Sequence, residues 1–210
     1  MHILFNGCSF TWGDELKNRE QDRFSTLVSN HYHASHTNIS HCGHSNDAIT
    51  RTTMEWFAAG NTCDLAVIQW TVISRIEGYD INYKKYCCIT TQTPYKWREY
   101  YSKYYHDQLG VDALFKNYYL LEQFFIQRNI PYVFLLHDCW SDTILNIHSV
   151  WKEFIIKKEL YFLRGNEEHT DNLLKDNKHI NSNKGHPNEL GHRVIADHII
   201  KHSQLDVPNQ

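Results

Sequence analysis

Residues 2–14 read "HILFNGCSFTWGD". The run from His2 to Phe5 is mostly apolar, and it is followed by Asn6, Gly7, Cys8, Ser9 and, four positions later, Gly13. A short apolar run of this kind is a buried strand, and small residues directly after it mark a strand-to-loop corner. In an open α/β sheet such a corner lies at the carboxyl end of the strand, where backbone N–H groups are free to meet a ligand. Ser9 is therefore the first candidate for chemistry.

Similar runs recur along the chain as "HTNIS" (36–40), "LAVIQW" (65–70) and "YVFLL" (132–136), with a weaker fifth candidate at "KHINS" (178–182). Longer segments with a helical period separate them. Phe24, Leu27 and Val28 mark one helix; Ile49, Thr53, Trp56 and Phe57 mark a second, with Ser45, Asn46 and Asp47 as cap candidates. Val111, Leu114, Phe115, Tyr118, Leu121 and Phe125 mark a third, stopped at Asn129-Ile130-Pro131. A last helix begins at Pro187-Asn188-Glu189 and carries Leu190, Val194, Ile195 and Ile199 on one stripe. Strands alternating with helices predict an α/β fold with a parallel sheet covered on both faces.

The chain reads as a single domain over 1–210 with two insertions, about 74–106 and 138–177. The first is rich in Tyr and Lys; the second holds a helical piece from Val150 to Leu163 and then a polar run. Both leave from carboxyl ends of strands, as lids or substrate walls would. An exposed aromatic surface for self-association, giving a homo-oligomer, is the equally weighted alternative, since tyrosine suits interfaces as well as sugar platforms.

At 210 residues, 41% hydrophobic and 21% charged, the chain is long and apolar enough for a sizeable core. A formal charge of -3 without a basic block argues against nucleic acid as a partner. The first apolar run is too short for a secretory or membrane-spanning segment, so no membrane span and a cytoplasmic location are expected. The six cysteines (Cys8, Cys42, Cys63, Cys87, Cys88 and Cys139) lack paired spacing and read as reduced, mostly structural thiols. His31, His33, His36, His41 and His44 crowd around Cys42, but their spacings repeat no known zinc-ligand pair. No metal site and no organic cofactor are expected.

A serine attacks an ester only if a base removes its proton and donors hold the oxyanion. His186, in the loop before the last helix, can meet Ser9 above the sheet, since such pairs are defined by geometry rather than chain order. Here the sequence resembles the SGNH, or GDSL, hydrolases. Ser9 in Gly7-Cys8-Ser9 stands where that family's first block has Gly-Asp-Ser, and Gly43 in "CGHSNDAITR" resembles the second block. His186-Pro187-Asn188-Glu189-Leu190-Gly191-His192 is similar to the fifth block, His-Pro-Asn-x-x-Gly-His. The resemblance spans nearly the whole chain and implies a three-layer flavodoxin-like fold, with five parallel strands in the order 2-1-3-4-5.

Two positions depart from the family pattern. The third block aligns on Thr71-Val72-Ile73-Ser74, so Ile73 replaces the asparagine that donates to the oxyanion; losing one such donor costs roughly 3 kcal/mol. The amide of Asn46, with Ser9 and Gly43, is the expected substitute. Asn183 replaces the usual aspartate three residues before His186. Its carbonyl can accept from the imidazole but brings no charge. Asp138 and Asp176 are the other acids considered for that role. His192 reads as a structural helix residue rather than a catalytic one. Arg75, with Trp70 and Thr71 at the end of the third strand, is the expected substrate contact, and a structural pair with Glu77 is the rival role for Arg75.

These residues describe an esterase cleaving a small or carbohydrate-linked ester such as an O-acetyl group. In it Ser9 is the nucleophile, His186 the base and Asn183 its orienting group, while Ser9, Gly43 and Asn46 hold the oxyanion. The rival expectations are a binding or assembly protein with weakened catalysis, and an O-acyltransferase using the same residues.

Overall fold

The computed structural model describes residues 1–90, 93, 95–139, 151, 161–165, 173–174, 177–180 and 185–203. Strand β1 (His2–Asn6) lies between β2 (Ser35–Asn38) and β3 (Leu65–Trp70); β6 (Tyr132–Cys139) and β7 (Tyr161–Gly165) complete the sheet. Its order is β2-β1-β3-β6-β7, with every neighbour parallel. Counting only the strands of this sheet, that is the expected 2-1-3-4-5. A small antiparallel hairpin, β4 (Ile76–Asp80) with β5 (Lys85–Ile89), stands apart from it inside the first insertion.

The alternation of side chains along a strand buried on both faces explains why "LAVIQW" is apolar at every position but Gln69. Leu65 and Val67 enter one core with Ile3, Phe5, Val133 and Leu135, closed by Phe24 and Val28 of α3 (Phe24–His31) and by a C-terminal helix. Ala66, Ile68 and Trp70 enter the opposite core with Phe134 and Leu136. Ile49 of α4 (Asn46–Ala58) and Val111, Phe115, Tyr118, Leu121 and Phe125 of α6 (Asp107–Gln127) close that face. Between them, α1 (Ser9–Trp12) and α2 (Arg19–Asp22) are single turns after β1, and α5 (Tyr95–Tyr104) follows the hairpin. The C-terminal helix is α7 (Glu189–His202). The Ser45 hydroxyl caps α4 by accepting from Ala48 N at 3.2 Å, and Asn188 caps α7 by accepting from Gly191 N at 3.0 Å.

Three expectations need correction. The fifth strand is Tyr161–Gly165, not 178–182. In the latter stretch Asn177–His179 is one 3₁₀ turn, and Ile180 makes a single antiparallel bridge to Pro187. As an edge strand, β7 pairs through its backbone on one side only and needs little apolar patterning, which hid it behind a helical period. The helix expected over 150–163 thus ends in strand at 161–163, and its remainder lies almost wholly outside the described residues. The stripe of α7 keeps Ile195 and Ile199 but differs at its other positions. Gly191, His192, Ile195, Ala196 and Ile199 are buried, whereas Leu190 is 42% exposed.

Gly7 is where β1 leaves the sheet. A Cβ there would overlap the Thr11 hydroxyl and lie 2.9 Å from Gln69 Cβ and 3.0 Å from Gln69 O. Gly7→Ala should therefore destabilise the protein by about 1–3 kcal/mol, read as a lower denaturant midpoint, because no neighbour is free to retreat.

Candidate active site

The corner after β1 is tied to the two elements beside it. Asn6 Oδ1 accepts from Gly7 N at 2.8 Å, while its amide donates to Ile49 O, Thr52 Oγ1 and Thr53 Oγ1 of α4 at 2.8–2.9 Å. From β3, the wholly buried Gln69 offers Oε1 to Cys8 N at 3.2 Å, Cys8 Sγ at 3.1 Å and Thr11 Oγ1 at 3.2 Å. Ser9 opens α1 on this platform and is 6% exposed. Gly13 ends that turn in the left-handed region, φ 82°, donating to Ser9 O and Phe10 O. The chain then reverses through Asp14 and Glu15.

His186 reaches this loop from the segment before α7. Its Nδ1 lies 2.9 Å from Glu15 Oε2, its backbone N–H is 3.4 Å from the same oxygen, and its Nε2 is 3.7 Å from Asp14 Oδ2. Phe10, next to Ser9, meets the imidazole edge-on at 5.7 Å and packs on His137 at 4.5 Å. Ser9 and His186 thus share the carboxyl end of the sheet with one ring touching both neighbourhoods. Among the described residues no hydrogen bond joins them, and Ser9 Oγ donates to Cys8 Sγ at 3.9 Å. Catalytic hydrogen bonds in ligand-free sites are often long and tighten only around substrate.

The other expected site residues fall out differently. Asn183 and Asp176 lie outside the described residues, as does the side chain of Asp138. Among the described residues the partner of His186 Nδ1 is Glu15, a residue whose signal in the sequence is only an acidic pair directly after Gly13. Gly43 sits in the β2–α4 loop at φ 83°. Asn46 is 3% exposed and turned to β3, accepting from Thr71 N at 2.8 Å and donating to Thr71 O at 3.2 Å. It is a clip between α4 and β3 rather than an oxyanion donor. Ile73 is packed into the α6 core, at 3% exposure.

Trp70 and Thr71 do not face a substrate. Trp70 is fully buried against Tyr118 and Phe134, and Thr71 is 3% exposed. Arg75 donates to Thr71 Oγ1 at 2.9 Å and His44 O at 3.3 Å, bracing the Gly43 loop. Glu77 pairs with Arg51 at 2.7 and 3.1 Å instead of with Arg75. Beside Gly43 a cleft of about 470 Å³ opens, bordered by His41, His44, Arg51, Glu77, Tyr86 and Cys88.

Two histidines near the site are held neutral. Burial, followed by the nearby His41 and Arg51 charges, lowers His44 to about 4, against an opposing hydrogen bond to the Gly7 backbone. Burial and then His186 lower His192 to about 3; its Nδ1 accepts from Phe24 N at 3.1 Å and its ring stacks on Phe24. A ring accepting at Nδ1 carries its proton on Nε2, which suits a structural role. Burial likewise raises the Cys88 thiol to about 11 and Cys63 to about 12. Cys8, Cys63 and Cys88 carry free thiols, and no group of three His, Cys, Asp or Glu side chains among the described residues is arranged to hold a metal. No described helix is long and apolar enough to cross a membrane.

No known family profile matches this chain, and no curated protein does. Among solved structures, a member of the lipolytic G-D-S-L family from Veillonella parvula is similar with a TM-score of 0.54 at 13% identity, over 98% of this chain and 100% of that one. A catalytic mutant of an acetylxylan esterase from Geobacillus stearothermophilus gives 0.55 at 12%, over 100% of this chain and 96% of that one. A psychrotrophic esterase from a Pseudoalteromonas species gives 0.53 at 12%, over 96% and 95%. The chain therefore has the SGNH-hydrolase fold.

Because the folded state refuses protons that an unfolded histidine takes up below about 6.5, stability should fall as pH drops from there towards about 4. The thermal midpoint should track this loss. His192→Asn, which keeps an acceptor for Phe24 N but does not titrate, should show a shallower decline.

Proposed function

We propose that this protein is a serine ester hydrolase acting on small or carbohydrate-linked esters. The observation that carries the reading is the His186 imidazole, held by a carboxylate at Nδ1 on the sheet end where Ser9 emerges. An ionised carboxylate only accepts, so Nδ1 bears the proton and Nε2 keeps the lone pair a general base needs.

In the reaction Ser9 Oγ forms a bond to the acyl carbon while its proton passes to His186 Nε2. The backbone N–H groups of Ser9 and Gly43 receive the oxyanion. Collapse expels the alcohol, which takes the Nε2 proton, and leaves an acyl-enzyme. Water, deprotonated by the same nitrogen, then releases the acid and free Ser9. The site needs no metal or organic cofactor for these steps.

A carbohydrate ester is favoured by the tyrosines that the first insertion leaves in solvent near the Gly43 cleft. Tyr79 and Tyr86 of the hairpin are 48% and 51% exposed, and Tyr86 itself borders the cleft. Aromatic faces of this kind suit sugar rings. One specific observation favours a second reading, a binding protein with the same fold: Ile73 is packed in the core where an oxyanion donor would stand.

Hydrolysis of p-nitrophenyl acetate and of acetylated xylo-oligosaccharides, together with fluorophosphonate labelling, separates the two. The wild type should hydrolyse both and be labelled at Ser9. Ser9→Ala should lose label and at least about 10⁴ of kcat, with its thermal midpoint retained. A folded wild type inert to every ester and unlabelled would favour the binding protein; product analysis with an added sugar acceptor would reveal acyl transfer.

A further inference from the structure

We propose that Glu15 is the acid that orients His186 and neutralises its imidazolium, a role the fifth-block resemblance assigns to position 183. This rests on the hydrolase reading for its catalytic consequence, though not for its geometry. Glu15 Oε2 lies 2.9 Å from Nδ1 and also faces the His186 backbone N–H at 3.4 Å, so one oxygen fixes both ring and main chain. The two side chains are only 12% and 14% exposed. A pair so shielded is screened less than one on the surface. Nδ1 has a single proton to donate, and with Glu15 in this position that proton is taken.

The backbone supports the assignment. Glu15 has φ 69°, a left-handed conformation that non-glycine residues seldom adopt and that persists only where the surroundings enforce it. The surroundings do so here. Asp14 N donates to Ser9 O at 3.0 Å, Gly13 caps α1 in the same left-handed region, and Leu16 N returns to Gly13 O at 3.3 Å. The effect is to fold Glu15 back under His186. Nucleophile and acid therefore share one short loop clamped by Gln69, whereas an acid at position 183 would travel with the base.

Asp14 adds a second negative charge 3.7 Å from Nε2, beyond hydrogen-bond range, so that nitrogen stays available to Ser9. When the Ser9 proton reaches Nε2, the imidazolium finds two carboxylates beside it, and among the described residues His192 of α7, which interacts with His186, is held neutral by burial. Glu15 stays ionised throughout and exchanges no proton. It is a positioning residue, and an uncharged Asn183 is then no handicap.

Glu15→Gln keeps the shape and removes the charge. With p-nitrophenyl acetate we expect kcat to fall by about 10²–10⁴ with KM within about twofold, and Asn183→Ala to stay within about threefold of wild type. Glu15→Asn, which tolerates the left-handed backbone, should lose as much, provided both variants keep cooperative thermal unfolding. A readout independent of activity is the far-downfield proton resonance of a carboxylate-bound imidazole N–H. It should be present in wild type and in Ser9→Ala and absent in Glu15→Gln. If the resonance survives in Glu15→Gln, or if Asn183→Ala abolishes it, Glu15 is not the acid. If the resonance behaves as expected but wild type and Ser9→Ala are equally inert, the hydrolase reading fails and the Glu15–His186 pair stands.

Discussion

The arrangement at the carboxyl end of this sheet depends on one buried amide. Gln69 lies in the central strand, in the middle of a run that is otherwise apolar, and is fully enclosed. An unpaired polar group there would cost about 1–3 kcal/mol. Its Oε1 instead collects three donors from the β1–α1 corner and its Nε2 donates to Trp70 O at 2.6 Å. A satisfied buried amide of this kind specifies one geometry. It works only because Gly7 lets the departing chain approach Gln69 without a side chain in between. Ser9, the Gly13 turn and the direction of Glu15 all follow from that contact.

The end of β3 is organised for packing rather than for donating to a ligand. Ile73 enters the core, and its carbonyl lies 2.5 Å from where a Cβ on Gly110 of α6 would stand, so a glycine in α6 is what allows the loop to pack so closely. Asn46 clips the backbone of Thr71, and Arg75 spans from Thr71 to the loop that holds Gly43. These bonds join the loops after β2 and β3 into one braced unit. The charged side chains there are used in the same way, Arg51 lying between Glu55 and Glu77 while stacking over Tyr86 at 3.8 Å. Arg75, expected from the sequence to meet substrate, is thus structural.

Negative charge is concentrated instead on the far side of Ser9, at Asp14 and Glu15. In a site where the base becomes an imidazolium, placing the carboxylates on the nucleophile's loop couples them to the corner that Gln69 clamps. The base comes from the segment before α7, whose own position is set by buried His192 stacking on Phe24 and accepting from its backbone N–H. The second histidine of the closing motif acts in this way as a structural fixture for the first.

The sequence by itself determined the layered α/β fold, four of the five strands of the sheet, the helix starts near Ser45–Asp47 and Pro187–Asn188, and the placing of Ser9 and His186 at opposite ends of the chain. Those features are local: apolar runs, helical periods and cap chemistry act over a few residues. Only the tertiary structure decided that β7 is the fifth strand, that Trp70, Thr71 and Asn46 face inward, that Arg51 rather than Arg75 pairs with Glu77, and that Glu15 meets His186. Each of these depends on which face of an element meets which neighbour across the sheet. Side-chain partners 171 residues apart, as Glu15 and His186 are, leave no periodic trace in the chain that joins them.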